Sequence, residues 1–78
     1  MEGLQSVSIR LRTVEDVKEY IHIAEKLVRD CNVKSGSYIV DGKSIMGIFS
    51  LDLSRKLTFE YDKEDTDIAN QIIARFGV

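Results

Sequence analysis

Two stretches with a period of two bound what this chain can fold into. Val7, Ile9 and Leu11 alternate with Ser6, Ser8, Arg10 and Arg12, and Leu57, Phe59 and Tyr61 alternate with Thr58 and Glu60. Successive side chains of a strand point to opposite faces, so each stretch predicts a strand with one dry and one wet side. A sheet built from such strands is antiparallel and covered by helices on one face. Helical spacing supplies the cover. Val17, Tyr20, Ile21, Ala24, Leu27 and Val28 predict a helix from about Val14 to Arg29, opened by a capping-box pattern of Thr13 and Asp16 with Asp in place of the usual Glu. Asn32 to Lys34 and Ser37 to Val40 read as two short strands meeting at Ser35 and Gly36. After a turn at Asp41 and Gly42, Ser44 opens a short helix carrying Ile45, Ile48, Phe49 and Leu51. A charged loop from Asp62 to Asp65 precedes a last helix from about Thr66 to Phe76, with Ile68, Ala69, Ile72, Ile73 and Phe76 on one side and Gly77 as its stop. The order is βαββαβα: one α/β domain over residues 1–78, a two-layer sandwich.

Composition narrows the function classes. Lys plus Arg number 11 and Asp plus Glu 13, so 11 − 13 leaves a net charge of −2, a poor match for a polyanionic partner such as nucleic acid. With 44% hydrophobic and 31% charged residues and no proline, the chain is expected to fold throughout. Its apolar runs are too short to span a membrane, and MEGLQSVS lacks the basic and apolar segments of a secretion signal, so a cytoplasmic protein is expected. Cys31 has no second cysteine for a disulfide or a metal site and is expected to be a small buried apolar group. No metal and no cofactor is expected.

Ser44 is the position where chemistry is most readily placed. A serine at a helix start accepts a hydrogen bond from a first-turn N–H, and the same location favours a phosphate on that oxygen. By spacing alone Ser44 is a cap. The helix it opens has too many apolar residues for one stripe; Ile48 and Leu51 can supply the inward side, leaving Met46 and Phe49 to face outward. His22, the only histidine, shares a helix side with Lys18, Glu25 and Arg29, opposite Tyr20 and Leu27, and is expected to be a solvated surface residue. The charged residues Glu60, Asp62, Lys63, Glu64, Asp65 and Asp67 read as a solvated loop and helix start.

From Val40 to Leu51 the run VDGKSIMGIFSL resembles the regulatory-serine segment of HPr, the phosphocarrier of the bacterial sugar phosphotransferase system. The element order over the whole chain is similar to that family, whose members are open-faced sandwiches with a four-stranded antiparallel sheet and three helices on one side. The resemblance implies that Ser44 is the target of an ATP-dependent HPr kinase. It further implies that Lys43, Ile45, Met46 and Phe49 form a docking surface for protein partners. Those partners are the kinase, a transcriptional regulator or other phosphotransferase-system proteins.

Departures from the family decide the expected role. HPr carries its phosphoryl group on a histidine capping the first helix, within Gly-Leu-His-Ala-Arg-Pro-Ala; here that place falls at or near Thr13, and the phosphate-holding arginine falls near Glu15. A threonine phosphate ester lacks the lability of phosphohistidine, and a carboxylate repels the group a guanidinium would clamp. The short glycine-containing turn that follows the family's middle helix is replaced by Asp52 to Lys56. The expectation is therefore a non-enzymatic regulatory or adaptor protein, similar to catabolite-repression HPr homologues that lack the histidine. Two other classes stand beside it. One is a phosphoryl carrier working through Thr13, His22 or another residue. The other is an RNA-recognition module, which shares the βαββαβ order but requires aromatics on the open sheet face and a basic surface.

Overall fold

A computed structural model describes residues 3–78. Its elements are β1 (Leu4–Ile9), α1 (Val14–Ala24), β2 (Asn32–Ser35), β3 (Tyr38–Asp41), α2 (Ile45–Phe49), β4 (Leu57–Asp62), a 3-10 turn (Lys63–Asp65) and α3 (Thr66–Phe76). The strands form one antiparallel sheet in the order β1-β4-β2-β3. Register sorts the side chains. Val7, Phe59, Val33 and Val40 form one row across the sheet on the helix-covered face, while Ser6, Glu60, Asn32 and Asp41 form a neighbouring row on the open face. The core lies between the sheet and α1 and α3: Ile9, Val17, Tyr20, Phe59 and Ile72 are fully buried, and the Phe59 ring meets Tyr20 edge-on and stacks on Tyr61.

The βαββαβα order and the bounds of α3 match the sequence expectation, and four details differ. The β2–β3 turn sits at Gly36 and Ser37, one residue later than expected. Gly36 has φ 59°, and a two-residue hairpin loop with glycine at its first position is the type II′ arrangement, whose twist suits the flanking strands. β1 begins two residues earlier than the alternation suggests, because Leu4 pairs with Asp62, and it ends at Ile9, leaving Leu11 buried in the following loop.

The largest difference is the end of α1. Sequence spacing carries the helix to Arg29, but it stops at Ala24. Lys26 and Leu27 donate to Ile23 and Ala24, which tightens the chain into 3-10 turns, and the next two N–H groups, of Val28 and Arg29, are taken by the Asp65 carboxylate at 3.2 and 2.8 Å. Val28, expected on the apolar face, is instead 87% exposed. The acidic loop differs for the same reason. Asp62 caps a 3-10 turn by accepting from Glu64 N, and Asp65 is buried rather than solvated.

The Tyr20 hydroxyl is buried beside the Cys31 thiol, with no partner in good hydrogen-bond geometry. Burial raises the pKa of the phenol far above its ordinary value, with Cys31 adding to the rise. Burial likewise pushes the Cys31 thiol up to about 11, so it stays protonated and inert at neutral pH. An unsatisfied buried hydroxyl carries a desolvation cost, so Tyr20→Phe is expected to be neutral or to stabilise by up to about 1 kcal/mol. A urea midpoint that falls in the variant contradicts that account.

Candidate functional site

Ser44 is the N-cap of α2. It takes an extended conformation, φ −97° and ψ 111°, and its Oγ accepts from Gly47 N at 3.1 Å, satisfying one of the orphan donors of the first turn. The chain reaches it through a turn built on Asp41, whose carboxylate accepts from Lys43 N at 2.9 Å and whose carbonyl accepts from Ser44 N at 3.1 Å. Gly42 lies so close to Tyr20 of α1 and to Cys31, just before β2, that a Cβ there would stand 3.0 Å from the Tyr20 hydroxyl, 2.5 Å from Cys31 Sγ and 3.1 Å from the Cys31 carbonyl carbon. Only glycine fits. Along α2, Ile48 is fully buried and Leu51, just past its end, nearly so, which leaves Met46, Phe49 and Ile45 at 81%, 43% and 38% exposure. The helix therefore presents an apolar surface beside the half-buried Ser44.

Lys43 belongs to this segment but does not reach out from it. Its ammonium donates to the carbonyl of Leu27, just beyond the end of α1, at 2.7 Å. No sequence pattern pointed to that partner. After α2 the chain closes on Asp52, which accepts from Ser54 N and Ser54 Oγ at 3.1 and 2.6 Å and pairs with Arg55 at 3.3 Å. Hydrogen bonds from Ser54 hold the Asp52 carboxyl below its usual range. This Asx turn delivers Leu57 to the start of β4 without a glycine.

Thr13 caps α1 as its pattern suggests, with Oγ1 accepting from Asp16 N at 3.0 Å. Asp16 returns a bond not to Thr13 but to Arg12, accepting from its N–H at 2.9 Å. Glu15 and Asp16 both lie in the first turn, where carboxylates complement the positive end of the helix. That end is thus already occupied by the chain's own oxygens and negative charge.

No protein-family model and no curated protein matches the sequence. The likeness is structural. The crystal structure of HPr-C-His from Thermoanaerobacter tengcongensis aligns with a TM-score of 0.72 at 19% identity, covering 90% of this chain and 88% of that one. The phosphocarrier protein HPr from Bacillus anthracis aligns with a TM-score of 0.72 at 18% identity, covering 94% of each chain. The fold is that of HPr.

In this HPr-like fold the residues singled out from the sequence fall into separate groups. Ser44, Ile45, Met46 and Phe49 come together on and before α2, whereas Thr13 and Glu15 sit at the start of α1. His22 is exposed beside a shallow groove of about 270 Å³ lined also by Lys18, Glu19, Ile23 and Arg75, with Arg75 paired to Glu19. Nine residues separate it from Thr13, roughly 13 Å along the helix axis, so it cannot stand in for a capping residue. Among the described residues no three His, Cys, Asp or Glu side chains gather as a metal site, and no helix is long and apolar enough to cross a membrane.

The open sheet face bears on the RNA-recognition alternative. Its two central rows are Ser6, Glu60, Asn32 and Asp41, and Ser8, Thr58, Lys34 and Ile39. Neither contains an aromatic. Phe59 and Tyr61 are buried under the helices, and Lys34, the only cation in these rows, is paired with Glu60 at 2.8 Å. Lys34 and Asn32 together hold the Glu60 carboxyl below its usual range, the ammonium contributing most. Such a face has neither stacking platforms nor free positive charge for single-stranded RNA.

Proposed function

We propose that this HPr-like protein is a regulatory or adaptor protein related to the phosphotransferase system, switched by phosphorylation of Ser44 rather than working as a phosphohistidine carrier. The observation that carries the reading is the division of α2: Ile48 is buried and Met46 exposed, so the helix capped by Ser44 holds its place in the core while offering an apolar surface outward. Exposed methionine suits a surface that adapts to a partner. The partners are protein: an HPr kinase, and a transcriptional regulator or phosphotransferase-system protein read through the same helix. Residence in the cytoplasm, where the kinase and ATP are, belongs to the proposal.

In the switching step Ser44 Oγ attacks the γ-phosphorus of ATP, the bond from that phosphorus to the bridging oxygen breaks, ADP leaves and the hydroxyl proton passes to a base of the kinase. The product carries about −1.5 to −2 of charge beside Met46 and Phe49, which changes what that surface accepts. The loss of the carrier role is supported by the occupied start of α1, where Glu15 and Asp16 repel a phosphoryl group and Thr13 offers no ring nitrogen. Incubation with ATP and an HPr kinase, followed by mass mapping, is expected to place one phosphoryl group on Ser44 and none on Ser44→Ala. Uptake at another residue, or no uptake, sinks the proposal.

A further inference from the structure

Lys43 is held in an unusual way for a residue of a docking segment. Its side chain is half-buried, its ammonium donates to a neutral carbonyl 16 residues back in the chain, and it takes part in none of the ion pairs among the described residues. The acceptor is not arbitrary. Leu27 O lies just past α1, where carbonyls have lost their intrahelical donors and a cation complements the negative end of the helix. The turn after α1 is therefore tied from two sides, its carbonyl by Lys43 and its next two N–H groups by Asp65.

We propose that Lys43 is a latch between Ser44 and this turn: in the unmodified protein its ammonium closes on Leu27 O, and a phosphate on Ser44 draws it away, loosening residues 25–29. The proposal rests on the Ser44 reading above and adds what the switch moves. A bond from an ammonium to a phosphate dianion is charge-assisted on both sides, whereas the bond to Leu27 O is charged on one side only. Lys43 is adjacent to Ser44 in the chain and its four-carbon stem lets the ammonium swing. The Asp41 carboxylate, already bonded to Lys43 N, adds a second negative charge on the same turn and raises the demand for the cation once the phosphate arrives. Phosphorylation at α2 is thereby also read at the far end of α1, where the exposed Val28 and the Arg29–Glu64 pair at 2.6 Å sit on the released turn.

The test uses the full chain with phosphoserine installed at position 44 during translation, so no kinase is needed, and follows backbone amides by NMR. Amides of Lys26 to Arg29 are expected to shift and to exchange roughly fivefold faster in the phosphoprotein, the factor one hydrogen bond of ordinary strength is worth. Unphosphorylated Lys43→Met is expected to show the same change, and adding phosphoserine to it is expected to change that turn no further. The nitrogen resonance of the Lys43 ammonium, followed in the unsubstituted protein, reports the move directly should Lys43→Met prove too unstable to assign. Perturbation confined to α2, with the Lys43 resonance and the 26–29 amides unmoved, overturns the latch. Failure of the kinase to modify Ser44 sinks the proposed function instead and leaves this measurement intact.

Discussion

Phe59→Ala is expected to cost about 3–5 kcal/mol, the range for removing a fully buried aromatic. Full burial and two ring contacts set the size of the loss. Phe59 has no exposed surface, it stacks on Tyr61 at 5.2 Å between ring centres, and it meets Tyr20 of α1 edge-on at 5.9 Å, so it joins the two layers. Along the sheet it faces Val7 on one side and Val33 on the other, at the middle of the row that all four strands share. At the usual 0.05–0.15 kcal/mol per residue, a chain of 78 residues has roughly 4–12 kcal/mol in total, so the variant is expected to be partly or wholly unfolded at room temperature. Phe59→Leu keeps most of the volume and is expected to cost less than about 1.5 kcal/mol. Urea unfolding of both variants checks this, and a loss below about 1 kcal/mol for the alanine variant contradicts the packing described.

Met46→Asp is the functional counterpart, expected to leave the fold alone and impair docking. Met46 is 81% exposed and lies in the first turn of α2, where a carboxylate is favoured by the helix end, so the unfolding midpoint is expected to stay within about 0.5 kcal/mol. A charge placed at the centre of an apolar contact must be desolvated when a partner covers it. Loss of a central interface anchor costs about 2 kcal/mol or more, so phosphorylation of Ser44 by an HPr kinase is expected to fall roughly thirtyfold in kcat/KM. Unchanged kinetics with unchanged stability removes Met46 from the docking surface.

How much of this was legible in the chain follows the range of the forces involved. Ser44 and Thr13 were readable as caps because a cap depends on residues three positions apart, and both bonds are present, to Gly47 and Asp16. The split of α2 into a buried Ile48 and an exposed Met46 followed from too many apolar residues on a short helix. What was not legible depends on partners distant in sequence. α1 ends early because Asp65, 36 and 37 residues away, captures two N–H groups that helical spacing would have kept in the helix. The same contact turns an acidic residue of an apparent surface loop into a buried acceptor. Lys43 reads locally as a free cation beside Ser44, and only the folded chain brings Leu27 O to its ammonium. The hairpin differs by one residue for a local reason: Ser35-Gly36 puts the glycine second in a two-residue loop, whereas its φ of 59° is needed at the first position.

The most direct measurement runs two phosphoryl donors side by side on one preparation. Phosphoenolpyruvate with Enzyme I tests the carrier role, and ATP with an HPr kinase tests the switch, each read by intact mass and by stability of the phosphate to acid. The account predicts no acid-labile phosphate from the first donor and a single acid-stable phosphate on Ser44 from the second. Acid-labile phosphate on His22, or an untouched Ser44 beside a fully modified HPr control, contradicts it.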